Sequence, residues 1–169
     1  MDPGRASLKY AQVERERRFL LGGEPPGLDP GDGWRIVDRY VDGTRLRLRR
    51  MERLDGTETV YKLAKKEVPR ADDFSRVTIT NIYLTADEHR LLESLPAHEL
   101  AKRRYKLRDG DDLYSVDVFE GELAGLVLAE ISFESDQELA AHAAPAFAVA
   151  DVSRDESYTG AALAMGRTR

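Results

Sequence analysis

Charged and apolar residues alternate at period two through several stretches of this chain, the pattern of strands whose two faces meet different surroundings. Residues 44–50 read TRLRLRR, which sets Arg45, Arg47 and Arg49 on one face and Leu46 and Leu48 on the other. Lys62 and Lys66 share a face of VYKLAKK opposite Tyr61 and Leu63, and Lys102, Arg104 and Lys106 share a face of AKRRYKL opposite Tyr105 and Leu107. Acidic rows exist as well. Glu14 and Glu16 align with Arg18 in VERERRFLL, Glu130 aligns with Ser132 and Glu134 opposite Ala129, Ile131 and Phe133, and Asp117 lies between Val116 and Val118. Glu14 and Arg18 also stand at the spacing of an i,i+4 helical pair. With turn residues as boundaries, the pattern predicts strands near 10–20, 34–42, 44–53, 58–66, 75–84, 99–107, 112–119 and 124–134.

The breaks are Gly- and Pro-rich: Gly22 to Gly33, Asp55-Gly56, residues 68–73 and Arg108 to Asp112. Two further segments carry a capping box, Thr85-Ala86-Asp87-Glu88 and Ser135-Asp136-Gln137-Glu138, where hydroxyl and carboxylate satisfy each other's free backbone N–H groups. Each opens a helix-spaced run, with Leu91, Leu92 and Leu95 in the first and Leu139, Ala140 and Ala143 in the second. The sequence AALAM near the C-terminus predicts a last short helix. About eight antiparallel strands with few helices suit a barrel or a sandwich.

Composition narrows the class. A length of 169 residues suits one domain, taken as 1–169 with its core at 9–164, and 41% hydrophobic residues suffice for a packed core. The start lacks an apolar signal core, and no apolar run approaches the ~18 residues of a membrane helix, so neither secretion nor a membrane partner is expected. The absence of Cys excludes disulfides, thiolate metal sites and Cys nucleophiles and points to the cytoplasm. A net charge of −5 argues against a nucleic-acid partner. That total hides a division: residues 35–70 hold 11 basic and 6 acidic residues, and residues 107–169 hold 4 and 13.

Solvated strand faces usually mix signs to avoid cross-strand repulsion, so rows of one sign call for an anion across them. If the strands close with charge inside, the basic rows form a polyanion site. Arg meets phosphate oxygens with paired hydrogen bonds and Lys supplies a mobile point charge. Oxygen-only ligand sets favour Mg²⁺ or Mn²⁺. Competing chemistry is absent from the sequence: GGEPPG lacks the GKS/T ending of a P-loop, no GxGxxG or GxSxG occurs, and His89, His98 and His142 are scattered. Trp34 reads as a packing residue, and Tyr40, Tyr61 and Tyr105 as packing residues that could stack a base.

The segment Glu14-Arg15-Glu16-Arg17-Arg18 resembles the ExExK strand of the CYTH, or triphosphate tunnel metalloenzyme, superfamily, with Arg18 in place of its lysine. RLRLRR, KLAKK and AKRRYKL resemble its basic strands, DVFEGELAGLVLAEISF its Asp, Gly-Leu and Ala-Glu pattern, and DVSRDESYTGAALA its closing segment. The resemblance implies an α+β fold built on a closed eight-stranded antiparallel β-barrel with flanking helices. It implies metal-dependent hydrolysis of a triphosphate, inorganic tripolyphosphate foremost or a nucleoside triphosphate. The alternatives are adenylate cyclisation of the class IV kind and a module that binds a triphosphate without turnover. Glu14, Glu16, Asp117 and Glu130 would be ligands of Mg²⁺ or Mn²⁺, with Glu14, Glu16 and Arg18 catalytic. Arg45, Arg47, Arg49, Lys62, Lys66, Lys102 and Arg104 would bind phosphate. Ser132 stands where a second Glu is expected, and Asp151 where the closing segment has Glu.

Overall fold

The fold was taken from a computed structural model, which describes residues 8–70 and 72–166; Ala71 of the predicted 68–73 break and the outer ends of the 1–169 reading lie outside the described residues. Eight strands, β1 (Gln12–Leu21), β2 (Trp34–Val41), β3 (Leu46–Arg53), β4 (Thr59–Glu67), β5 (Arg76–Leu84), β6 (Ala97–Asp109), β7 (Asp112–Phe119) and β8 (Val127–Ser132), form one antiparallel sheet. Their order is β5-β4-β3-β2-β6-β7-β8-β1, and pairing of β5 with β1 closes the barrel. Closure leaves these strands no open edge along the first half of β1, and it gives every strand an inner and an outer row.

Turn chemistry sets the register that matters most. Between β6 and β7 the chain reverses through Gly110 and Asp111, with Gly110 at φ 60°, a conformation that costs residues with a Cβ. Asp109 therefore faces Asp112, and counting back along the ladder puts Arg104 opposite Asp117. The same alternation elsewhere sets Asp38 opposite Arg49 and Arg18 opposite Glu130.

Two apolar clusters hold the barrel. Outside it, Phe19 and Leu21 of β1, Tyr114 and Val116 of β7, and Val127, Ala129 and Ile131 of β8 pack under the segment carrying Phe133 and Phe147. Arg17, on the outer row of β1, bonds His142 carbonyl and Asp151 and so ties that covering segment to the wall. The second cluster fills one end of the interior: Leu100, Phe119 and Leu128 meet Leu163 of α3 (Gly160–Ala164). The predicted C-terminal helix is thus a plug, capped by Thr159.

Both predicted capping boxes form, at α1 (Ala86–Leu92) and α2 (Asp136–Ala141). The leucine stripe expected on α1 does not face the core. Leu91 is 75% exposed and the buried side chain is His89, packed against Tyr61 of β4 with ring centroids 4.7 Å apart and the rings tilted at 45°. The eighth predicted strand is shorter than expected, because a 3-10 turn at Gly121–Leu123 precedes it. A ninth strand, β9 (Ala148–Asp151), pairs with Phe19 to Leu21 on the edge of β1 that β5 leaves vacant. Its sequence, AVAD, has little strand propensity, and docking on a free edge overrides it. No helix among the described residues is long and apolar enough to cross a membrane.

Leu163 is 4% exposed in the plug. Leu163→Ala is expected to cost about 2–5 kcal/mol of unfolding free energy in urea titration. A change within about 0.5 kcal/mol would show that α3 does not close the barrel.

Candidate functional site

The inner rows beyond the apolar plug converge on a cavity of about 150 Å³. Seven cations reach it: Arg18 from β1, Arg47 and Arg49 from β3, Lys62 and Lys66 from β4, and Lys102 and Arg104 from β6. Three carboxylates join them, Glu14 and Glu16 from β1 and Glu130 from β8, with Tyr40 and Asn81 completing the polar wall. Arg45, the remaining predicted phosphate ligand, is 65% exposed, pairs with Glu67 at 3.6 Å, and lines an adjoining, more apolar cavity of about 400 Å³. That neighbour shares Arg18, Tyr40, Arg47 and Lys66 with the tunnel and is lined as well by Gly160 and Ala161, so Arg45 stands outside the tunnel beside the C-terminal helix.

Asp117 is placed differently from the other acidic residues. It is 1% exposed, lies behind the cavity wall, and is bound by Lys102 at 2.6 Å and by Arg104 at 2.6 and 2.7 Å. Its oxygens are consumed by cations. Asp38, which the sequence reading passed over, does the same on the other side. It is 1% exposed and takes Arg49 through both oxygens at 2.6 and 2.7 Å, with Arg47 Nε 3.7 Å away. The available signal was a lone acid in phase with Ile36 and Tyr40 on an inner row.

The charges hold one another in unequal balance. Burial opposes ionisation of Asp38, yet Arg49 and then Arg47 hold its carboxyl far below the usual range. Burial opposes ionisation of Glu130 as well, and Arg18 and Arg104 outweigh it; Arg18 Nε donates to Glu130 at 2.9 Å and Arg104 Nη2 at 2.7 Å. Glu16 goes the other way, raised first by burial and then by Glu130. Its nearest guanidinium nitrogen, on Arg18, is 4.0 Å off, and Ser132 faces it across the ladder. Burial, reinforced by Arg49, lowers the Arg47 guanidinium, and its Nε is buried with no hydrogen-bond partner. Lys62 makes no ion pair among the described residues and rests 4.9 Å from the Tyr83 ring. Tyr40 is pushed up to about 12 by burial and by Asp38.

Among the described residues no three His, Asp or Glu side chains gather as a ready metal cage. Glu14 bonds Lys66 at 3.1 Å and Glu130 bonds two arginines, so the cavity carboxylates are spread among cations. Asp151 lies outside the tunnel wall, held by Arg17 and by Ser153 at 2.5 Å.

A closed antiparallel barrel with cations converging inside is the architecture that the resemblance to the CYTH, or triphosphate tunnel metalloenzyme, superfamily implies, and the chain's likeness to known proteins supports that resemblance. It is 29% identical over 160 residues to an inorganic triphosphatase of Nitrosomonas europaea, covering 90% of this chain and 97% of that protein. The crystal structure of the inorganic triphosphatase NE1496 superposes with a TM-score of 0.60 at 25% identity, over 90% of this chain and 94% of that one. A putative adenylate cyclase from Bacillus halodurans shares the fold, with a TM-score of 0.55 at 16% identity over 78% of this chain and 86% of that one. No family model matches the chain.

Asp38 and Glu130 have folded-state values below their unfolded ones. Their contribution to stability is therefore complete above the unfolded carboxylate range near pH ~4 and is lost as pH falls through the folded values. Glu16, raised on folding, works in the opposite sense, since its ionisation costs stability and protonation removes that cost. Urea unfolding of the wild type is expected to show stability falling between about pH 5 and pH 3, and Glu16→Gln to raise stability near pH 7. A flat profile over the acid range would show that the two buried carboxylates are not held ionised by their arginines.

Proposed function

We propose that this protein hydrolyses a triphosphate, with inorganic tripolyphosphate the preferred substrate and Mg²⁺ or Mn²⁺ the preferred cation. The observation that carries the reading is the buried Arg47 Nε, a charged donor on the tunnel wall with no protein partner. A buried donor left unpaired costs about 1–3 kcal/mol, and an anion in the tunnel recovers it. The likeness to the Nitrosomonas inorganic triphosphatase over nearly the whole of both chains supports the same reading.

Charge balance bears on the cation. Seven cations line the tunnel against three carboxylates, and Asp38 and Asp117 behind the wall add two more, leaving two positive charges. A triphosphate brings about four negative charges near neutral pH, so the filled tunnel is short by two. One divalent ion makes up that difference. The donor set agrees, because Mg²⁺ commonly takes only one or two carboxylates and completes its shell with water and substrate phosphate. Glu16, the tunnel carboxylate not committed to a hydrogen-bonded cation, would hold the ion together with Glu14. Bound there, a divalent ion would withdraw charge from phosphate oxygens and acidify a nearby water. Asp117 does not fit that role, since Lys102 and Arg104 occupy both its oxygens.

Phosphoryl transfer asks mainly for alignment and charge stabilisation. Arg47, Lys62 and Lys66 reach the cavity from β3 and β4 and Lys102 from β6, with β2 between them, so a linear triphosphate would lie along this arc of cationic wall. Water attacks a terminal phosphorus in line; the new P–O bond forms as the bridging P–O bond breaks, orthophosphate and pyrophosphate result, and the proton passes to solvent. The cations nearest the bridging oxygen stabilise the charge it gains.

Orthophosphate release from tripolyphosphate is expected only with a divalent cation present and is expected to stop on chelation. Glu16→Gln is expected to lower kcat/KM by roughly 100-fold, with the melting temperature kept or raised. Metal-independent release, or full activity in Glu16→Gln, would exclude this assignment.

A further inference from the structure

Each arginine has five N–H donors in a fixed fork, and what remains after its protein partners are served is what it can offer a ligand. Arg104 spends Nε and Nη2 on Asp117, with Nη2 also serving Glu130, and Arg18 spends Nε on Glu130. Arg49 is committed on one whole side: its Nε donates to Asp38 Oδ1 at 2.6 Å and its Nη2 to Oδ2 at 2.7 Å. Such a two-point grip fixes the plane of the guanidinium as well as its position. Asp38 itself faces Arg49 across the β2–β3 ladder and does not line the cavity. Arg47, two residues along the same inner row, stands beyond hydrogen-bond range of Asp38 and keeps its Nε free.

We propose that Asp38 is a positioning residue that pins Arg49 to the tunnel wall as a fixed charge, leaving Arg47 as the arginine that grips the phosphate chain. This rests on the reading of the tunnel as a triphosphate site. One carboxylate under two guanidinium groups leaves a single net positive charge, and the hydrogen bonds place that surplus on Arg47. Without Asp38, two mobile guanidinium groups would compete for the same oxygens, and the phosphate chain could settle in more than one register. Misregister of that kind lowers turnover more than it lowers affinity, because the scissile bond is displaced while the charges are still met.

The test compares the wild type with Arg47→Gln, Asp38→Asn and the double variant Asp38→Asn/Arg49→Gln. Tripolyphosphate binding is read by calorimetry without metal, orthophosphate release with Mg²⁺, and folding by thermal melting. Arg47→Gln is expected to weaken tripolyphosphate binding roughly 10- to 100-fold. The double variant removes both charges of the pair together and is expected to weaken binding by a smaller factor than Arg47→Gln does. Asp38→Asn is expected to lower kcat about tenfold while KM moves less than about threefold, and a purely structural Asp38 would shift only the melting temperature. Equal losses in Arg47→Gln and the double variant would overturn the assignment, as would wild-type kinetic constants in Asp38→Asn. If the wild type itself fails to bind tripolyphosphate, the tunnel reading falls and this inference with it. Wild-type binding and turnover together with either of the preceding results overturn this inference alone.

Discussion

Seven cations around 150 Å³ would drive a barrel apart if nothing stood behind them, and the two buried aspartates are what permit the arrangement. Asp38 on β2 lies beneath Arg47 and Arg49 of β3, and Asp117 on β7 lies beneath Lys102 and Arg104 of β6. The two units repeat one local geometry: an acid on one strand, and two basic residues at i and i+2 on the strand beside it. Along the neighbouring strands β3, β2, β6 and β7 the basic and acidic rows alternate, so Asp38 stands between the two pairs of cations and Asp117 beyond the second. Removing one partner from such a buried set leaves an uncompensated charge, a loss of about 3–5 kcal/mol. The cations are therefore part of the fold as much as of the site.

Barrel closure then sorts the interior lengthwise. Toward one end Leu20, Leu100, Phe119 and Leu128 meet Leu163 and form a dry plug; the charged rows occupy the remainder. On β6 the change happens within two residues, from Leu100 to Lys102, and on β8 from Leu128 to Glu130. An apolar floor this close lowers the local dielectric, which strengthens each ion pair above it and raises the cost of any charge left unmatched. Arg47 and Glu16 bear that cost: the former keeps an unpaired donor, and the latter is pushed toward its neutral form.

The charged walls were legible in the chain because period two is a local property. Arg47, Arg49, Lys62, Lys66, Lys102 and Arg104 could be assigned to common faces from spacing alone, and the barrel turns those faces inward. What spacing does not carry is which acid meets which cation. Asp117 and Glu130 look alike in sequence, each an acid among apolar neighbours, yet register sets Asp117 behind the wall and Glu130 on it. Asp38 sits among Ile36, Val37, Arg39 and Tyr40, and its partner lies 11 residues on, across a hairpin. The ninth strand and the burial of His89 escaped for a related reason, since each depends on a surface supplied by another element rather than on its own pattern.

Ser132 gains a meaning from the register. It faces Glu16 directly, so a glutamate in its place, as the superfamily pattern has it, would set two like charges opposite each other. Such a pair is destabilising in an empty tunnel and becomes favourable only when a cation neutralises both. With serine at 132, Glu16 keeps a polar, uncharged neighbour, and the strain that a bound cation would relieve is smaller. The balance between the two kinds of ligand shifts accordingly. Seven cations line the tunnel, and the carboxylate side offers Glu16 and Glu14 rather than a cage of three or more acids among the described residues. On the proposed function, the phosphate chain would supply oxygens that Glu14 and Glu16 alone do not, and a divalent ion would be held by substrate and carboxylates together.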